Sequence, residues 1–563
     1  MRIGLRFLSY QEINLKGQAM KLKKKPNFIF FMTDQQRSTQ LFPEFPTEWI
    51  KENLPNYHYF LENGVVFDNN ICNTSPCGPS RASFFTGSYP ANNGIVDNDG
   101  TIPPGGMTFA NVLSDQDYDV YYKGKMHLNE HTTKFSQSWT ADTNIAPTIA
   151  QEENHRMEHL YGLKKWTSPD FGTLLAEENP SLAEIATLAG GAGHNDSRII
   201  TGEYKLYQEQ ESVISFLKDV QENPPERPFC LIISLVNPHD ISLYPKGWEE
   251  AGYQSALFNG PAFDRITLPE SYMDSLDTKP STQATYLNTF AHGKLIEAST
   301  IEGSINYPLN YVKFYAYLHT LVDTLLGTVL DSMGKELIDN SVLIRMADHG
   351  EMGMSHGGLK EKNNNAYNET IRVPMIWVNP AFKAGKRDQM VSLIDLIPTM
   401  GALTGANIKR YDKLQGVDYS AALFKYNAKV QEAVLFNFTQ MGPQLNGIAE
   451  KTANSAEPYA PSYLPNPNAP VANAPSSIYA LVKKDWKYAV YYGFNEDKKV
   501  DWPSAQYELY NLKQDWKEMH NLLPINGDAA SEALALQNSL HDELTQLMET
   551  RNIVMPDGWS NRC

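Results

Sequence analysis

Cysteine is rare in this sequence, and its scarcity excludes a disulfide-rich fold and a zinc site built from CxxC pairs. The 563 residues contain four cysteines, at positions 72, 77, 230 and 563, with irregular spacing. A disulfide framework needs a dense set of cysteines, and a zinc site of the CxxC type needs closely paired ones. We therefore expect reduced thiols, and we look for a separate reason for Cys77, which lies in the segment TSPCGPSRASFFTG (74–87).

Positive charge and long apolar runs are also in short supply. Lysine and arginine number 48 against 65 aspartates and glutamates, which gives a formal net charge of −17. Nucleic-acid binding needs clustered cations, so this balance predicts no nucleic-acid partner, although a locally cationic pocket can still bind a small anion. No apolar run is long enough to cross a membrane. Charged residues interrupt the first 28 residues before a secretory apolar segment is complete.

The interrupted N-terminal segment and the lack of a membrane-spanning run lead to an expected cellular location. We expect a cytoplasmic protein with no membrane partner, or a periplasmic or secreted protein if the native N-terminus is missing from this sequence. The sequence leaves homo-oligomerisation open.

Apolar runs that end abruptly at polar residues alternate with amphipathic stretches. The runs lie at 27–33, 118–124, 229–236 and 341–347, and the helix-like stretches between them include 311–334. Such alternation predicts an α/β fold in which helices sandwich a large, mostly parallel sheet. A helix with a glycine stop is also expected over 391–407.

The pattern changes in the last quarter of the chain. We expect an N-terminal extension (1–25), a catalytic domain (26–425) and a smaller C-terminal α+β subdomain (426–563). The subdomain would contain a short antiparallel sheet, a final helix over 531–551, and an insertion at about 451–476 that is rich in proline, alanine and asparagine.

Each predicted strand is followed by residues able to bind a metal or an anion. They are Asp34 after the first run, Lys125 and His127 after the second, His239 after the third, and Asp348 with His349 after the fourth. Any single one of them is typical of a residue that only caps a turn. Because ligand sites of parallel sheets lie beyond the carboxyl ends of the strands, the four together predict a functional site.

Cys77 lies at the predicted start of a helix, since Pro79 suits a first helical turn. Free N–H groups at a helix N-terminus favour an anion, and Arg81 adds a planar, bidentate cation one turn later. The residues alone leave two interpretations open: an anion pocket with a sulfur nucleophile, or a buried cysteine at a helix cap.

The segment CGPSRASFFTG (77–87) resembles the type I sulfatase signature, CxPSRxxx(L/F)TG, at every defined position. This resemblance implies a member of the alkaline phosphatase superfamily, similar to arylsulfatases and choline sulfatases. It implies that a formylglycine-generating enzyme converts Cys77 to Cα-formylglycine, whose hydrated aldehyde is the nucleophile. The implied substrate is a small sulfate ester.

The same resemblance runs from about residue 26 to about residue 523 and implies roles for the residues at the strand ends. The implied metal ligands are Asp34, Gln35, Cys77, Asp348 and His349. The implied catalytic residues are Cys77, Arg81, Lys125, His127, His239 and Lys362, and the implied substrate-binding residues are Asn98, Lys125, His239 and Lys362. Lys360 is the less favoured alternative to Lys362, because Lys362 keeps better spacing to the segment AYNETIRVP.

Many family members carry two consecutive aspartates at the first metal-binding strand, whereas this chain has Asp34 followed by Gln35. Its neutral oxygen lowers the negative charge of the metal site, and a hard divalent cation is still expected, with Ca²⁺ favoured over Mg²⁺ or Mn²⁺. The general acid stays open among His127, His239 and Lys362.

Two rival functions remain beside sulfate ester hydrolysis. A phosphonate monoester or phosphodiester hydrolase would share the scaffold, but those relatives carry uncharged hydroxyl residues where this chain has Lys125 and His127. A non-catalytic anion-binding protein would keep the pocket and never convert Cys77.

Overall fold

The structure is a computed structural model. It describes residues 25–128, 155–167, 196–202, 211–287, 307–439 and 474–559, apart from positions 99, 104, 156, 198, 246, 247, 250, 251, 412, 496 and 498. Residues 1–24 of the predicted extension and 451–473 of the predicted insertion lie outside the described residues.

The described strands form a large sheet, a two-stranded pair and a C-terminal sheet. In chain order they are β1 (Asn27–Thr33), β2 (Val65–Phe67), β3 (Asn70–Ile71), β4 (Asp119–Gly124), β5 (Lys164–Thr167), β6 (Phe229–Ser234), β7 (Ser341–Ala347), β8 (Met375–Val378), β9 (Gly385–Arg387), β10 (Val391–Ser392), β11 (Ala433–Thr439), β12 (Ser477–Lys483), β13 (Trp486–Phe494) and β14 (Val500–Asn511).

The large sheet has eight described strands in the order β5-β4-β6-β1-β7-β8-β2-β9. Strands β4, β5, β6, β1 and β7 pair in parallel, and among the described strands only β8 runs against its neighbours. The predicted mostly parallel sheet is therefore confirmed. Its central strands are buried on both faces, which explains why they read as continuous apolar runs.

Helices cover both faces of this sheet. The described helices are α1 (Thr47–Asn53), α2 (Pro55–Asn63), α3 (Cys77–Thr86), α4 (Pro90–Asn93), α5 (Phe109–Ser114), α6 (Val213–Glu222), α7 (Ser281–Tyr286), α8 (Tyr307–Ser332), α9 (Lys335–Asp339), α10 (Ser355–Gly358), α11 (Asn368–Ile371), α12 (Leu396–Thr404), α13 (Ser420–Phe424) and α14 (Ser531–Thr550).

Alternate side chains of β1 pack into two different apolar clusters, one on each face of the sheet. Phe28 and Phe30 belong to a cluster with residues of α3, α5 and α12. Ile29 and Phe31 belong to a second cluster with residues of α2, α6 and α8. The two clusters correspond to the two faces of the sheet, since successive strand side chains point in opposite directions.

The C-terminal sheet is antiparallel, in the order β11-β12-β13-β14, and α14 packs against β11, β12 and β13. Both the predicted antiparallel sheet and the predicted final helix are confirmed. Part of this sheet also belongs to the core of the large one, because Phe436 and Ala480 lie in the same apolar cluster as Phe28. The domain limits at 425/426 stay a prediction.

The predicted helix over 391–407 is wrong in its first turns. Val391 and Ser392 form strand β10, paired with β3, and a short 3-10 turn follows before α12 begins. Ser392 and Asp395 form a capping box there, which sets the start of the turn after the strand.

None of the helices in the described parts of the chain has the length and apolar character needed to cross a bilayer.

Candidate active site

Three aligned strand ends bring the first site residues together. Strand β1 pairs with β7 up to Thr33 and Ala347, and β4 pairs with β6 up to Gly124 and Ser234. The next residues of β1, β4 and β7 are Asp34, Lys125 and Asp348. Their side chains therefore meet at one sheet edge, as expected for parallel strands.

Cys77 is the first residue of α3 and points at this edge. Its Sγ lies 3.1 Å from His349 Nε2 and 3.5 Å from Asp34 Oδ1. Helix α3 is buried from Cys77 through Phe85, so its N-terminus is held inside the protein. The buried segment places the one signature cysteine beside the strand-end carboxylates.

Four of these side chains can hold one ion. Ligand atoms of Asp34, Cys77, Asp348 and His349 all lie within 4.8 Å of one another, and all four residues are buried. Two carboxylates and an imidazole suit a divalent cation, and replacement of the thiol by an aldehyde hydrate would add a further oxygen. The donor set therefore fits the expected metal.

Arg81 joins the two carboxylates of this cluster. Its Nη2 donates to Asp34 Oδ2 at 3.0 Å and its Nε donates to Asp348 Oδ2 at 2.9 Å. Its Nη1 donates to the Lys125 carbonyl oxygen and to Ser234 Oγ, at 2.6 and 2.9 Å. All three guanidinium nitrogens are thus engaged within the protein, so Arg81 positions the carboxylates in this arrangement.

Asp34 is the most heavily charge-paired group of the site. Lys125 Nζ lies 2.9 Å from its Oδ2. Burial raises the pKa of Asp34, but the nearby charges of Lys125, His239 and Arg81 outweigh burial and hold that pKa well below its ordinary value. Asp34 is therefore a carboxylate in the folded protein.

The pKa values of Asp348 and His349 are raised, whereas that of Asp34 is lowered. Burial, together with the charge of Asp34, raises the pKa of Asp348. Burial lowers the pKa of His349, but Asp348 and Cys77 outweigh it and raise that pKa to about 9. A bound cation would take the place of this extra proton, since imidazole binds metal in its neutral form.

His239 and Lys362 form a second pair beside the cluster. Lys362 Nζ lies 3.4 Å from His239 Nε2, which is itself 3.9 Å from Asp34 Oδ1. Lys360, the alternative lysine, instead donates to Tyr307 Oη at 2.9 Å. The geometry thus favours Lys362 over Lys360 for a role at the site.

His127 and Asn98 lie around the same centre. Burial and the charges of Lys125 and Arg81 lower the pKa of His127 well below its ordinary value, so this imidazole is neutral. The side-chain oxygen of Asn98 accepts a hydrogen bond from the Gly78 N–H at 2.9 Å, next to Cys77. Asn98 therefore occupies the N-terminus of α3.

Gln35 has an unforeseen set of partners. Its Oε1 accepts from Lys362 Nζ at 2.5 Å, and its Nε2 donates to Glu361 at 3.1 Å and also to Glu351. Its role as a metal ligand stays a prediction. The sequence reasoning missed Glu351 and Glu361, although Glu351 follows the strand-end segment DHG directly and could have been noticed for that reason.

Known proteins resemble this chain over most of its length. The family model described as Sulfatase matches residues 26–406, which is more than half of the chain. A choline-sulfatase of Rhizobium meliloti (strain 1021) is 23% identical over 505 residues, covering 87% of this chain and 83% of the relative.

Two solved structures share the fold. One, described as a 2-O GAG sulfatase, has a TM-score of 0.60 and 18% identity, with 95% of each chain covered. The other is a phosphonate monoester hydrolase from Silicibacter pomeroyi with a TM-score of 0.60 and 16% identity, covering 95% of this chain and 97% of that one. The family match, together with the signature cysteine buried among the strand-end residues, establishes that this chain belongs to the sulfatase family.

Proposed function

We propose that this sulfatase cleaves sulfate monoesters with a formylglycine nucleophile made from Cys77 and with a divalent cation. The observation that carries the proposal is the position of Cys77, whose Sγ lies 3.1 Å from His349 and 3.5 Å from Asp34. A cysteine that was only a helix cap would not need to share its surroundings with two carboxylates and an imidazole. A formylglycine-generating enzyme is the partner that maturation requires.

Formylglycine and the cation would have distinct parts. Formylglycine in place of Cys77, beside His349 and Asp34, would supply a hydrated aldehyde with two hydroxyls. One would be the nucleophile for sulfur as the bond from sulfur to the leaving oxygen breaks, and loss of a proton from the second would let the aldehyde re-form as the sulfate departs. The cation, held by Asp34, Asp348, His349 and residue 77, supplies positive charge that favours an ionised oxygen. Ca²⁺ is favoured, because hard oxygen donors predominate in the set.

The remaining side chains distribute charge and protons around the ester. Lys125 Nζ, 2.9 Å from Asp34, would provide a cation for the sulfate oxygens of a bound ester. Lys362 and His239 face each other at 3.4 Å and would stabilise or protonate the departing oxygen. His127, whose low pKa keeps it neutral, would accept the proton of the second hydroxyl.

The proposed substrate class is defined by the sulfate head group and not by the rest of the ester. The named relatives include a choline-sulfatase and a 2-O GAG sulfatase, and we propose only the sulfate monoester that these names share. Phosphonate monoesters form the second candidate, because a hydrolase of that type shares the fold. Lys125 and His127 favour sulfate, since the resemblance places uncharged residues there in phosphonate hydrolases.

The test uses the full chain produced together with a formylglycine-generating enzyme. Intact mass should show conversion of residue 77, and a panel of aryl, alkyl and sugar sulfates should be hydrolysed faster than a phosphonate monoester or a phosphodiester. Cys77→Ala should abolish turnover. Chelation should remove activity, and Ca²⁺ should restore it better than Mg²⁺ or Mn²⁺.

Two results would contradict the proposal. An unmodified thiol at residue 77 in every molecule made together with the formylglycine-generating enzyme would favour the non-catalytic anion-binding protein. A higher kcat/KM for the phosphonate than for every sulfate would instead identify the second candidate.

A further inference from the structure

We infer that Glu351 and Glu361 are positioning residues that orient the Gln35 amide and thereby hold Lys362 at the leaving oxygen. The inference rests on the proposed function, because Lys362 needs a leaving group to act on. It concerns two buried glutamates to which the resemblance assigned no role.

The amide of Gln35 can adopt only one orientation in this site. Its Nε2 faces two carboxylates, those of Glu351 and Glu361, and its Oε1 faces the ammonium of Lys362. A flipped amide would place oxygen against two carboxylates and N–H groups against an ammonium. Both changes replace attractive contacts with repulsive ones in a water-excluded site.

Glu351 is itself held rigidly. Its Oε1 accepts from Tyr311 Oη, from Gly353 N–H and from Glu361 N–H, each at 2.9 Å. Glu351 is fully buried and Tyr311 lies on α8. Its Oε2 is therefore directed at Gln35, and a helix on one face of the sheet is connected to the active site through it.

The carboxylate of Glu361 contacts both Lys362 and Gln35. Its Oε2 accepts from Lys362 Nζ at 2.9 Å and from Gln35 Nε2 at 3.1 Å. Its backbone has φ of +65°, a left-handed conformation that is strained for a non-glycine residue. The contact of the Glu361 N–H with Glu351 holds the residue in this conformation.

Lys362 is thus fixed by two oxygen acceptors, Gln35 Oε1 and Glu361 Oε2, and its Nζ is directed to within 3.4 Å of His239. A long, flexible lysine side chain loses rotamer freedom in such a position. Because this ordering precedes substrate binding, the ammonium needs no reorganisation during bond cleavage.

The test compares Glu351→Gln and Glu361→Gln in the converted, Ca²⁺-saturated enzyme. In E351Q the new side-chain NH₂ group faces Gln35 Nε2, so the Gln35 amide must turn and repel Lys362. A misplaced Lys362 matters most when the departing oxygen needs charge stabilisation. We therefore expect kcat/KM to fall about 100-fold for alkyl sulfates, with a much smaller fall for nitrophenyl sulfate.

Glu508→Gln provides the matched control. Glu508 is also a buried glutamate, but its carboxylate accepts from Tyr367, Tyr491 and Tyr510 near the C-terminal sheet. Its replacement should alter stability without changing how kcat/KM depends on the leaving group. If E351Q does not fold, Tyr311→Phe removes one donor from Glu351, keeps its charge, and should produce the same selective fall at smaller size.

The outcomes distinguish failure of the positioning role from failure of the proposed function. An equal fall for all esters in E351Q, E361Q and Y311F, or no fall, would overturn the positioning role. A converted wild-type enzyme that hydrolyses no sulfate ester would overturn the proposed function itself.

Discussion

At the residue scale, Arg81 shows how strongly the site depends on geometry as well as on charge. The guanidinium bridges Asp34 and Asp348 and also binds Ser234. An ammonium has the same charge but cannot span these acceptors, because its three donors radiate from one atom. The two carboxylates would then be free to move apart.

Arg81→Lys should therefore lower kcat/KM by about 10²–10³-fold, the loss typical of removing a preorganised donor from an active site. Steady-state kinetics on an aryl sulfate measures this. The control is Arg387→Lys, at a buried arginine that donates to the carbonyl oxygens of Ala422 and Gly385. Retention of full activity by R81K would contradict the bridging role.

The two neighbouring lysines provide a second test at this scale. Lys362→Met removes the cation that faces His239 and should lower kcat by about 10²–10⁴-fold. Lys360→Met removes the donor to Tyr307 Oη and should leave kcat within a few-fold of wild type. The reverse order of effects would show that Lys360 is the residue acting on the ester.

At the element scale, the site depends on how closely β4 approaches β6. A Cβ atom added to Gly124 would lie 2.0 Å from the Ser234 carbonyl oxygen, and Gly124 has φ of +102°. Only glycine accommodates both conditions. Since Lys125 follows immediately, the same glycine places the lysine that contacts Asp34.

Gly124→Ala should destabilise the protein by more than about 3 kcal/mol, because strain and a backbone clash act together. Gly405→Ala is the control: it also has positive φ, at +83°, but its added Cβ would meet nothing within 4 Å. Strain alone should cost about 1–2 kcal/mol there. Urea denaturation of both variants measures the difference, and equal losses would contradict the clash.

At the scale of the whole molecule, the buried Lys487 connects the C-terminal sheet to the segment that follows Lys362. Lys487, on β13, lies 2.5 Å from Glu518 and donates to the Ala366 carbonyl oxygen and to Asn368. Ala366 and Asn368 follow Lys362 in the chain. Together with the shared apolar cluster, this contact predicts that both sheets unfold together.

Lys487→Met should lower the free energy of unfolding by about 3–5 kcal/mol, because it leaves the buried Glu518 carboxylate without its cation. Lys484→Met breaks an exposed pair with Asp388 and should cost at most about 1 kcal/mol. Denaturation followed by both fluorescence and circular dichroism tests the cooperativity. Separate transitions for the two sheets would contradict it.

The prediction from sequence was strongest where local pattern and motif agreed. Strand ends at Asp34, Lys125 and Asp348 followed from apolar runs, and the start of α3 followed from Pro79. The helix expected over 391–407 was wrong at its start, because pairing of β10 with β3 is a contact distant in sequence. Glu351 and Glu361 were missed for a similar reason, since their partners Gln35 and Tyr311 lie far along the chain.

Local sequence is enough to specify the kinds of element, their order and the chemical groups at the strand ends, because apolar periodicity and short motifs act over a few residues. Which of these groups meet depends on the folding of the whole chain. Parallel pairing of strands more than a hundred residues apart placed Cys77 against His349 and directed Lys362 at His239. Distances between such side chains depend on sheet order and register, which no local stretch of sequence encodes.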